Sequence, residues 1–329
     1  MIYIVNKSTK PDYNIALEEY CFKNLRHHDK IFILWINEPA IIVGKNQNTI
    51  EEVNTEYVKQ NNIHVVRRIS GGGAVYHDHN NLNYTIISNE EKGAEFDFKT
   101  FSQPVIDTLA DLGVTAQFTG RNDIVIDGMK ICGNAQAYLK GRVMHHGCLL
   151  FDTDLSVLSK ALEQPKDVIN SRGVKSVRSA VSNILPHLPQ KISVDDFSNK
   201  LLEKMKQEFP EMVEYKFNDQ ELHEIEKARA TKFGTWNWNY GNSPKYDIER
   251  HSRFAAGKID VHVDVKNSLI NQIKFFGTFF GNNADLSEIE NQLVGVKYTA
   301  EDVKEKLSQI DYNHYFAGFS LDELVEAII

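Results

Sequence analysis

Cysteine is scarce in the sequence, and the histidines show no metal-binding spacing. The three cysteines, Cys21, Cys132 and Cys148, are odd in number and form no CxxC pair, which argues against a disulfide framework and a cysteine-based zinc site. The twelve histidines include two adjacent pairs but no HExxH motif. We therefore predict reduced thiols and no structural metal.

Long apolar runs and a secretion signal are also missing. The longest apolar runs, such as residues 31–36 and 40–43, fall far below the ~20 residues that a membrane-spanning helix requires. Residues 1–13 carry Asn, Lys, Ser and Asp, without an apolar segment or a small-residue cleavage site. The sequence thus predicts a protein that has no membrane segment and works in the cytoplasm.

Positive charge is not in excess. The 37 Lys and Arg residues are outnumbered by 45 Asp and Glu residues, which gives a formal net charge of −8. A general binder of nucleic acid concentrates Lys and Arg, because these displace counterions from the phosphate backbone. We predict no nucleic-acid partner, and the sequence shows no helix-turn-helix that would support a DNA-reading regulator.

The first part of the chain alternates between helical and β-rich patterns. Residues 14–25 have helical spacing of apolar side chains, with Asp12 where an N-cap is expected. Residues 31–87 form short β-rich runs separated by Gly, Asn and Pro, which indicates a sheet. In the segment 123–134, the dipeptide Asp127-Gly128 joins two apolar runs and predicts a β-hairpin.

The last part of the chain predicts a second, smaller domain. The aromatic stretch 233–246 ends in Gly, Asn, Ser and Pro, which is typical of a boundary. We therefore divide the chain into domains 1–246 and 247–329. Strict alternation over 258–265 predicts a strand of a second hairpin, so this smaller unit should be α+β. Further helices are expected over 197–209, after a capping-box-like pair at Ser193 and Asp196, and over 219–231. Three more are expected to start at Asp285 or Ser287, at Thr299 and at Ser320.

A glycine-rich turn is the most distinctive local feature. Residues 67–78 read RRISGGGAVYHD and match neither familiar phosphate loop. Gly71, Gly72 and Gly73 can nevertheless bring successive N–H groups together on an anion. Arg68, with its planar fork of donors, suits a carboxylate or a phosphate. The alternative is a hairpin tip with two solvated arginines. Three consecutive glycines, taken without their neighbours, would favour this alternative.

A lysine on the first hairpin is a second candidate. Lys130 lies between Met129 and Ile131 and could act as a point charge toward a phosphate or carboxylate. The spacing alone favours the alternative, a strand lysine whose ammonium lies in water. Asn122 and Asp123 fit turn formation as well as contacts to ribose or magnesium.

A thiol and an imidazole provide a competing hypothesis. His146 and Cys148 should share one face of a strand, so a thiolate on Cys148 or Cys132 could carry an acyl group. However, residues 143–151 read as a mostly apolar strand, in which a free cysteine usually packs as a small hydrophobe. We keep the thiol mechanism as the alternative.

Four ordered motifs resemble the lipoate-protein ligases. They are RRISGGGAVYHD at 67–78, GRNDIVIDGMKICGNAQ at 120–136, HHGCLLFDTDL at 145–155 and GVKSVRSAVSNI at 173–184. The resemblance covers the whole chain. It implies an α+β, biotin/lipoate ligase-like catalytic domain with a mixed β-sheet, followed by a small α+β accessory domain.

The resemblance also implies roles for individual residues. Lys130 would be catalytic and would touch both ATP and lipoate. Lipoate would further contact Ser70 and Gly72, Asp123 is the candidate for Mg²⁺, and residues 173–179 would close over the adenylate. The implied ATP contacts are Arg68, Gly71, Gly72, Gly73, Ala74, Val75, Tyr76, Asp123 and Lys130.

The activity implied by the resemblance is ATP-dependent attachment of salvaged lipoate to a protein lysine, through lipoyl-AMP. The expected co-substrates are ATP with Mg²⁺ and lipoate, and a monomer is expected. The expected partners are apo lipoyl-carrier proteins, namely acyltransferase subunits of 2-oxoacid dehydrogenase complexes and the glycine cleavage H protein. An octanoyl or lipoyl acyltransferase with a thioester on Cys148 or Cys132 is the alternative. The chain departs from the family pattern at His79-Asn80, Cys132, Cys148 and Ala180.

Overall fold

The computed structural model describes residues 1–47, 49–89, 97–119, 122–162, 180–240, 248–266, 269–279, 281 and 285–329. Its strands alternate with helices along the chain. The strands are β1 (Ile2–Val5), β2 (Lys30–Ile36), β3 (Ala40–Val43), β4 (His64–Arg67), β5 (Val75–His77), β6 (Asn81–Asn89), β7 (Gln117–Thr119), β8 (Asp123–Ile126), β9 (Met129–Tyr138), β10 (Arg142–Leu150), β11 (Val213–Glu214), β12 (Ile248–Phe254), β13 (Gly257–Lys266) and β14 (Leu269–Thr278).

The helices are mostly short. They are α1 (Pro11–Asn24), α2 (Thr49–Glu52), α3 (Thr55–Gln60), α4 (Phe98–Asp111), α5 (Leu155–Ala161), α6 (Val194–Glu208), α7 (Asp219–Ala228), α8 (Trp236–Asn239), α9 (Leu286–Leu293), α10 (Ala300–Ser308) and α11 (Leu321–Ile328). Single 3₁₀ turns lie at Leu185–His187 and Tyr312–His314, and a π-helical turn lies at Arg229–Phe233. In the described ranges, no helix is both long and apolar enough to span a bilayer.

A large mixed sheet organises the first part of the chain. Within the described residues its order is β11-β1-β2-β6-β10-β9-β8-β7. Strand β1 pairs in parallel with β2 and β11, and the other pairs are antiparallel. Helices α4 and α6 pack on one face, through residues such as Val105 and Leu201. Helix α1 packs on the other face, through Ile15 and Phe22. The predicted α+β class with a mixed sheet is confirmed.

A small second sheet carries the glycine-rich turn. Strand β3 pairs in parallel with β4 and antiparallel with β5, and the turn is the segment 68–74 between β4 and β5. Residues 31–87 were predicted as strands alone, but they also contain α2 and α3. Both helices are too short for a 3.6-residue pattern to show over several turns.

The Asp127-Gly128 hairpin is confirmed. Strands β8 and β9 pair antiparallel, and the two turn residues have φ values of 51° and 76°. Positive φ at both central residues is what a two-residue hairpin turn requires. This hairpin places Lys130 at the start of β9.

The C-terminal part has a core of its own, made of residues from 248 onward. Strand β13 pairs with β12 and β14, and the alternating residues Ile259, Val261 and Val263 are fully buried. The register shifts between Asp264 and Val265, so the alternation ends there. Side-chain caps at Asp285, Thr299 and Ser320 begin α9, α10 and α11 as expected. The domain boundary predicted near residue 247 falls in 241–247, outside the described residues, and stays a prediction.

Three helices have limits that differ from the predictions. Helix α1 begins at Pro11 with Lys10 as its N-cap, so Asp12 lies in the first turn and does not cap the helix. Proline is favoured at this first position, because the N–H that it lacks would have no partner there. Helix α6 begins at Val194, after the Ser193 cap, and not at residue 197. Helix α7 ends at Ala228, and the chain continues as a π-helical turn to Phe233.

Candidate active site

A cavity of about 110 Å³ lies between the glycine-rich turn and one face of the large sheet. Arg68, Gly72 and Gly73 line it from the turn, and Lys130 and Gly133 line it from the hairpin. The sequence therefore brings the predicted cation and the predicted anion-binding turn to the same cavity. The alternative in which Lys130 extends into water does not hold, because its side chain is only 25% exposed.

Arg68 braces the turn from the inside. Its Nη2 donates hydrogen bonds to the carbonyl oxygens of Gly71 and Gly73, at 2.6 and 2.8 Å. Its Nη1 donates to Ile42 O at 3.0 Å, and its Nε donates to Ser70 Oγ at 3.0 Å. Burial lowers the pKa of the Arg68 guanidinium to about 10, so the group stays charged at neutral pH. With these donors engaged, Arg68 holds the turn in shape.

The neighbouring Arg67 braces a second loop. Its Nη1 donates to the carbonyl oxygens of Gly44 and Gln47, at 2.9 and 2.6 Å. Its Nε donates to Trp238 O at 3.0 Å, and this bond connects α8 to β4 of the small sheet. The two arginines are 8% and 5% exposed. The interpretation of a hairpin tip with two solvated arginines is therefore wrong.

The turn lies very close to Gly44. A Cβ atom on Gly44 would lie 2.1 Å from the carbonyl oxygen of Gly72. Gly72 itself has a φ of +91°, and a Cβ there would lie 2.9 Å from Arg68 Nη2. The two backbones can approach each other only because Gly44 lacks a side chain, and the missing side chain of Gly72 leaves room for the Arg68 guanidinium.

Replacing Gly44 by alanine should lower the free energy of unfolding by about 3 kcal/mol, because a backbone atom must move to admit the methyl group. Gly73→Ala is the matched control, since its added Cβ would meet Thr278 Cγ2 at an ordinary 3.8 Å. The control should change stability by less than about 0.5 kcal/mol. Urea denaturation of the two variants measures the difference, and equal stabilities would refute the close approach.

Lys130 is held by charge and by the backbone. Its Nζ lies 2.8 Å from Asp123 Oδ1 on the partner strand. A Cβ on Gly133 would lie 2.9 Å from the same Nζ, so the lysine side chain crosses β9 over a glycine. The Lys130 N–H donates to Ala180 O at 2.8 Å. The segment 173–179, expected to close over an adenylate, lies outside the described residues, and the described chain resumes beside Lys130.

A buried hydrogen-bond chain connects the turn to α1. Ser70 Oγ lies 2.6 Å from His146 Nε2, and His146 Nδ1 lies 2.7 Å from Glu18 Oε1. Thr85 Oγ1 donates to the same Glu18 oxygen at 2.6 Å. When Nδ1 of His146 carries the ring hydrogen and donates it to Glu18 Oε1, Nε2 accepts a hydrogen bond from the Ser70 hydroxyl. Ser70 is thereby fixed by Arg68 on one side and by His146 on the other.

This chain weakens the thiol hypothesis. His146 and Cys148 both line the cavity, as the strand pattern predicted, but Ser70 and Glu18 engage the two ring nitrogens of His146. Burial raises the pKa of the Cys148 thiol. Cys132 belongs to the core on the opposite face of the sheet, and burial raises its pKa well above the ordinary value. Neither cysteine has the low-pKa setting of a reactive thiolate.

The other predicted site residues lie in three different surroundings. Ala74 and Val75 line the cavity with Lys130. Ser70 and Gly71 line a small cavity of about 10 Å³ that also includes Leu286 and Tyr315 of the C-terminal part. The side chain of Tyr76 belongs to a separate apolar cluster with Ile41 and Val43, so any ATP contact by Tyr76 would come from its backbone.

The departures from the family pattern lie mostly away from the cavity. His79 and Asn80 are exposed, as is Ala180, and Cys132 lies in the opposite core. Among these positions, Cys148 lines the cavity.

The protein-family comparison matches two consecutive parts of the chain. Residues 10–206 match the lipoyl protein ligase A/B catalytic domain, and residues 243–328 match the bacterial lipoate protein ligase C-terminus. The chain is 43% identical over 331 residues to lipoate-protein ligase LplJ of Bacillus subtilis, with 100% of each chain covered. It is 44% identical over 320 residues to lipoate–protein ligase 1 of Staphylococcus aureus, with 97% of each covered. The chain belongs to the lipoate-protein ligase family.

Solved structures extend this similarity. The lipoate complex of Plasmodium falciparum LipL1 superposes with a TM-score of 0.82 at 23% identity and covers 99% of this chain and 98% of that one, which supports the shared fold. A lipoate-protein ligase A bound with ATP has a TM-score of 0.63 at 25% identity and covers 73% of this chain and 98% of that one. Membership of the lipoate-protein ligase family, predicted from the four motifs, is thus confirmed.

Sequence reasoning missed several cavity residues of this family member. Trp35, His77 and Asn83 line the cavity, and Glu18 supports it through His146. One signal was visible for Glu18, because it is a carboxylate inside the apolar stripe of α1, three residues after Ile15 and four before Phe22. Trp35, His77 and Asn83 lie on β2, β5 and β6 of two different sheets, and only the folded chain brings them together.

Two buried histidines should make the stability of this ligase-family fold depend on pH. Burial lowers the pKa of His77 to about 3, and burial also lowers the pKa of His145 well below its ordinary value. The unfolded chain binds these protons below about pH 6.5 whereas the folded chain does not. The contribution of these two histidines to the free energy of unfolding is therefore fully present above about pH 6.5. It is lost as the pH falls toward 3.

For His77 alone, the loss between pH 7.5 and pH 5 should be about 2 kcal/mol. Urea denaturation at the two pH values measures the loss, and His77→Gln should reduce it by that amount. A loss of the same size in His77→Gln would mean that His77 is not responsible.

Proposed function

We propose that this protein uses ATP to activate lipoate as lipoyl-AMP, with release of pyrophosphate, and then transfers the lipoyl group to a lysine of an apo lipoyl-carrier domain. One observation carries the proposal: Lys130 and the glycine-rich turn braced by Arg68 line the same cavity. Membership of the lipoate-protein ligase family supports it.

The cavity suits the first half-reaction. The lipoate carboxylate attacks the α-phosphorus of ATP, the bond to the pyrophosphate oxygen breaks, and negative charge builds on the α-phosphoryl oxygens. Lys130 and the N–H groups of Gly72 and Gly73 are the donors that can stabilise this charge, and their positions are fixed before the substrates bind. Arg68 contributes by holding the turn, and we retain it as a proposed ATP contact.

The second half-reaction needs no covalent enzyme intermediate. The carrier's lysine amine attacks the carbonyl carbon of the mixed anhydride, the bond to the phosphate oxygen breaks, and AMP leaves. Lys130 can stabilise the developing oxyanion. Because the amine attacks the adenylate directly, the acyl group need not pass through Cys148.

The residues present fit Mg²⁺ held together with a substrate phosphate. Among the described residues, no cluster of three His, Cys, Asp or Glu side chains could hold a metal by itself. Mg²⁺ is usually bound by one or two carboxylates together with substrate phosphates, and Asp123 beside Lys130 can supply one carboxylate. The ion would neutralise phosphate charge when bound.

The partners we propose are apo lipoyl domains of 2-oxoacid dehydrogenase acyltransferase subunits and the glycine cleavage H protein. A solved relative from Thermoplasma acidophilum is described as a bi-partite lipoate protein ligase and its E2 lipoyl domain, which supports a carrier of this type. We further propose that the protein acts as a monomer in the cytoplasm, where it salvages free lipoate. Residues 1–246 would form the catalytic domain, and residues 247–329 would form an accessory domain.

Mass spectrometry of an apo lipoyl domain tests the proposal. The domain is incubated with the protein, ATP, Mg²⁺ and lipoate, and we expect the mass to increase by one lipoyl group. The same carrier with its acceptor lysine replaced by arginine should gain nothing. Unchanged mass on lipoyl domains of both carrier types would refute the ligase function.

A further inference from the structure

Asn134 connects the two strands of the hairpin that carries Lys130. It lies on β9 and is only 3% exposed. Its backbone N–H and its Nδ2 both donate to the carbonyl oxygen of Asn122, at 2.9 and 3.0 Å. In return, Asn122 Nδ2 donates to the carbonyl oxygen of Asn134 at 2.6 Å. These reciprocal hydrogen bonds fix Asn122, the residue that leads into β8.

Buried donors hold the other end of the Asn134 amide. The Tyr84 hydroxyl donates to Asn134 Oδ1 at 2.6 Å, and His145 Nε2 lies 3.2 Å from the same oxygen. Burial lowers the pKa of His145 well below its ordinary value, so the ring is neutral. Gln136 Nε2 lies 3.0 Å from His145 Nδ1, and when it donates there, Nε2 carries the ring hydrogen. Both donors then point at Asn134 Oδ1, which leaves Nδ2 for Asn122.

The hydrogen bond between Tyr84 and Asn134 crosses a strand at a glycine. Tyr84 on β6 and Asn134 on β9 are both register partners of Gly147 on β10, which lies between them. A Cβ on Gly147 would lie 2.3 Å from Asn134 Oδ1 and 2.5 Å from Tyr84 Cε1. The two side chains meet directly over the glycine, so any side chain there would separate them. Three adjacent strands of the large sheet therefore build the support behind Asn134.

The position of Asn122 bears on the position of Lys130. Asn122 lines the cavity and is followed by Asp123, whose Oδ1 lies 2.8 Å from Lys130 Nζ. Asp123 is also the register partner of Gly133, over which the lysine ammonium lies. A lysine has a flexible four-carbon stem, so its ammonium stays in one place only when its partner carboxylate does. A displaced Asn122 would move this carboxylate and the ammonium with it.

We propose that Asn134 is a positioning residue for the adenylation step and that it acts through Asn122 and Asp123 on the Lys130 ammonium. This assignment rests on the proposed function, because it takes Lys130 to stabilise the charge on the α-phosphoryl oxygens. Asn134 performs no chemical step. A misplacement of about 1 Å at a reacting group can cost roughly 10²-fold in rate, so the loss of a support behind Lys130 should slow the reaction more than it weakens substrate binding.

Exchange of labelled pyrophosphate into ATP, measured as separate kcat and KM values, tests the assignment. Asn134→Ala removes the amide and should lower kcat about 10-fold, while KM for ATP and for lipoate stays within about 2-fold of the wild-type value. Tyr84→Phe removes the hydroxyl donor behind Asn134 and should lower kcat about 3-fold. It also provides the measurement if Asn134→Ala does not fold.

The effect should depend on Lys130. In a Lys130→Ala background, Asn134→Ala or Tyr84→Phe should change kcat by less than about 2-fold, because the ammonium that Asn134 positions is missing. A purely structural role would not distinguish the two backgrounds, and the losses in kcat would multiply.

Thr108→Val is the matched control for a lost buried hydrogen bond. Thr108 Oγ1 donates to the carbonyl oxygen of Pro104 at 2.7 Å, and Thr108 is 2% exposed on α4, away from the hairpin. The variant should lower the temperature of thermal unfolding, as Asn134→Ala does, and leave kcat unchanged. Loss of stability and loss of rate are thereby separated.

Several results would overturn the assignment. Wild-type kcat in folded Asn134→Ala and Tyr84→Phe would show that Lys130 does not need this support. The same loss in the Lys130→Ala background, or an equal loss in Thr108→Val, would show a general structural effect. Absence of lipoate-dependent exchange in the wild-type protein would instead count against the proposed function itself.

Discussion

Replacing Lys130 by alanine should reduce lipoate-dependent exchange of labelled pyrophosphate into ATP by about 10²- to 10³-fold. Its ammonium lines the cavity opposite the glycine-rich turn and is paired with Asp123 at 2.8 Å. Loss of one preorganised donor to a developing charge typically costs about 3–4 kcal/mol in the transition state. The effect should appear mainly in kcat, because charge on the α-phosphoryl group grows as the bond to pyrophosphate breaks.

Cys148→Ser is the matched control for Lys130→Ala. Cys148 lines the same cavity, but both nitrogens of the nearby His146 ring are already engaged by Ser70 and Glu18. The serine variant should therefore retain exchange within a few-fold of the wild-type rate. The opposite ranking, with activity lost in Cys148→Ser and kept in Lys130→Ala, would favour an acyl-thioester mechanism.

Arg68→Lys should lower kcat/KM for ATP by about 10²-fold, although the positive charge is kept. The guanidinium donates to the carbonyl oxygens of Gly71, Gly73 and Ile42. An ammonium cannot reproduce that planar set of bonds. The carbonyl groups would lose their donors and the turn would lose its shape, so we also expect the free energy of unfolding to fall by roughly 2–3 kcal/mol.

Arg253→Lys serves as the control for Arg68→Lys, because Arg253 is exposed on β12. Its stability and kinetics should match those of the wild type. Steady-state exchange assays and urea denaturation on both variants measure the two effects. An Arg68→Lys enzyme with wild-type kcat/KM and stability would show that the turn does not depend on the guanidinium.

Local features were the most predictable from sequence. The Asp127-Gly128 hairpin needs only two residues that tolerate positive φ, and the helix starts at Ser193 and Ser320 need only a capping box within four residues. The class of fold and the family followed from motifs that lie in contiguous segments. For the hairpin and the helix starts, the deciding interactions are between residues close in sequence.

The buried polar network was not predictable in the same way. Glu18 and His146 are 128 residues apart in sequence, and they meet because α1, which carries Glu18, packs on the face of the large sheet to which His146 of β10 contributes. Arg67 and Arg68 also look alike in sequence, yet one braces the Gly44–Gln47 loop and the other braces the glycine-rich turn. Which carbonyl groups they meet depends on how β3, β4 and β5 pair.

The most direct test of the proposed site is a crystal structure of the protein with a non-hydrolysable lipoyl-adenylate analogue. We expect Lys130 Nζ and backbone N–H groups of the glycine-rich turn to lie within hydrogen-bond distance of the group that replaces the acyl phosphate, from opposite sides. An analogue bound elsewhere, or a Lys130 ammonium directed into solvent away from that group, would contradict the proposed site.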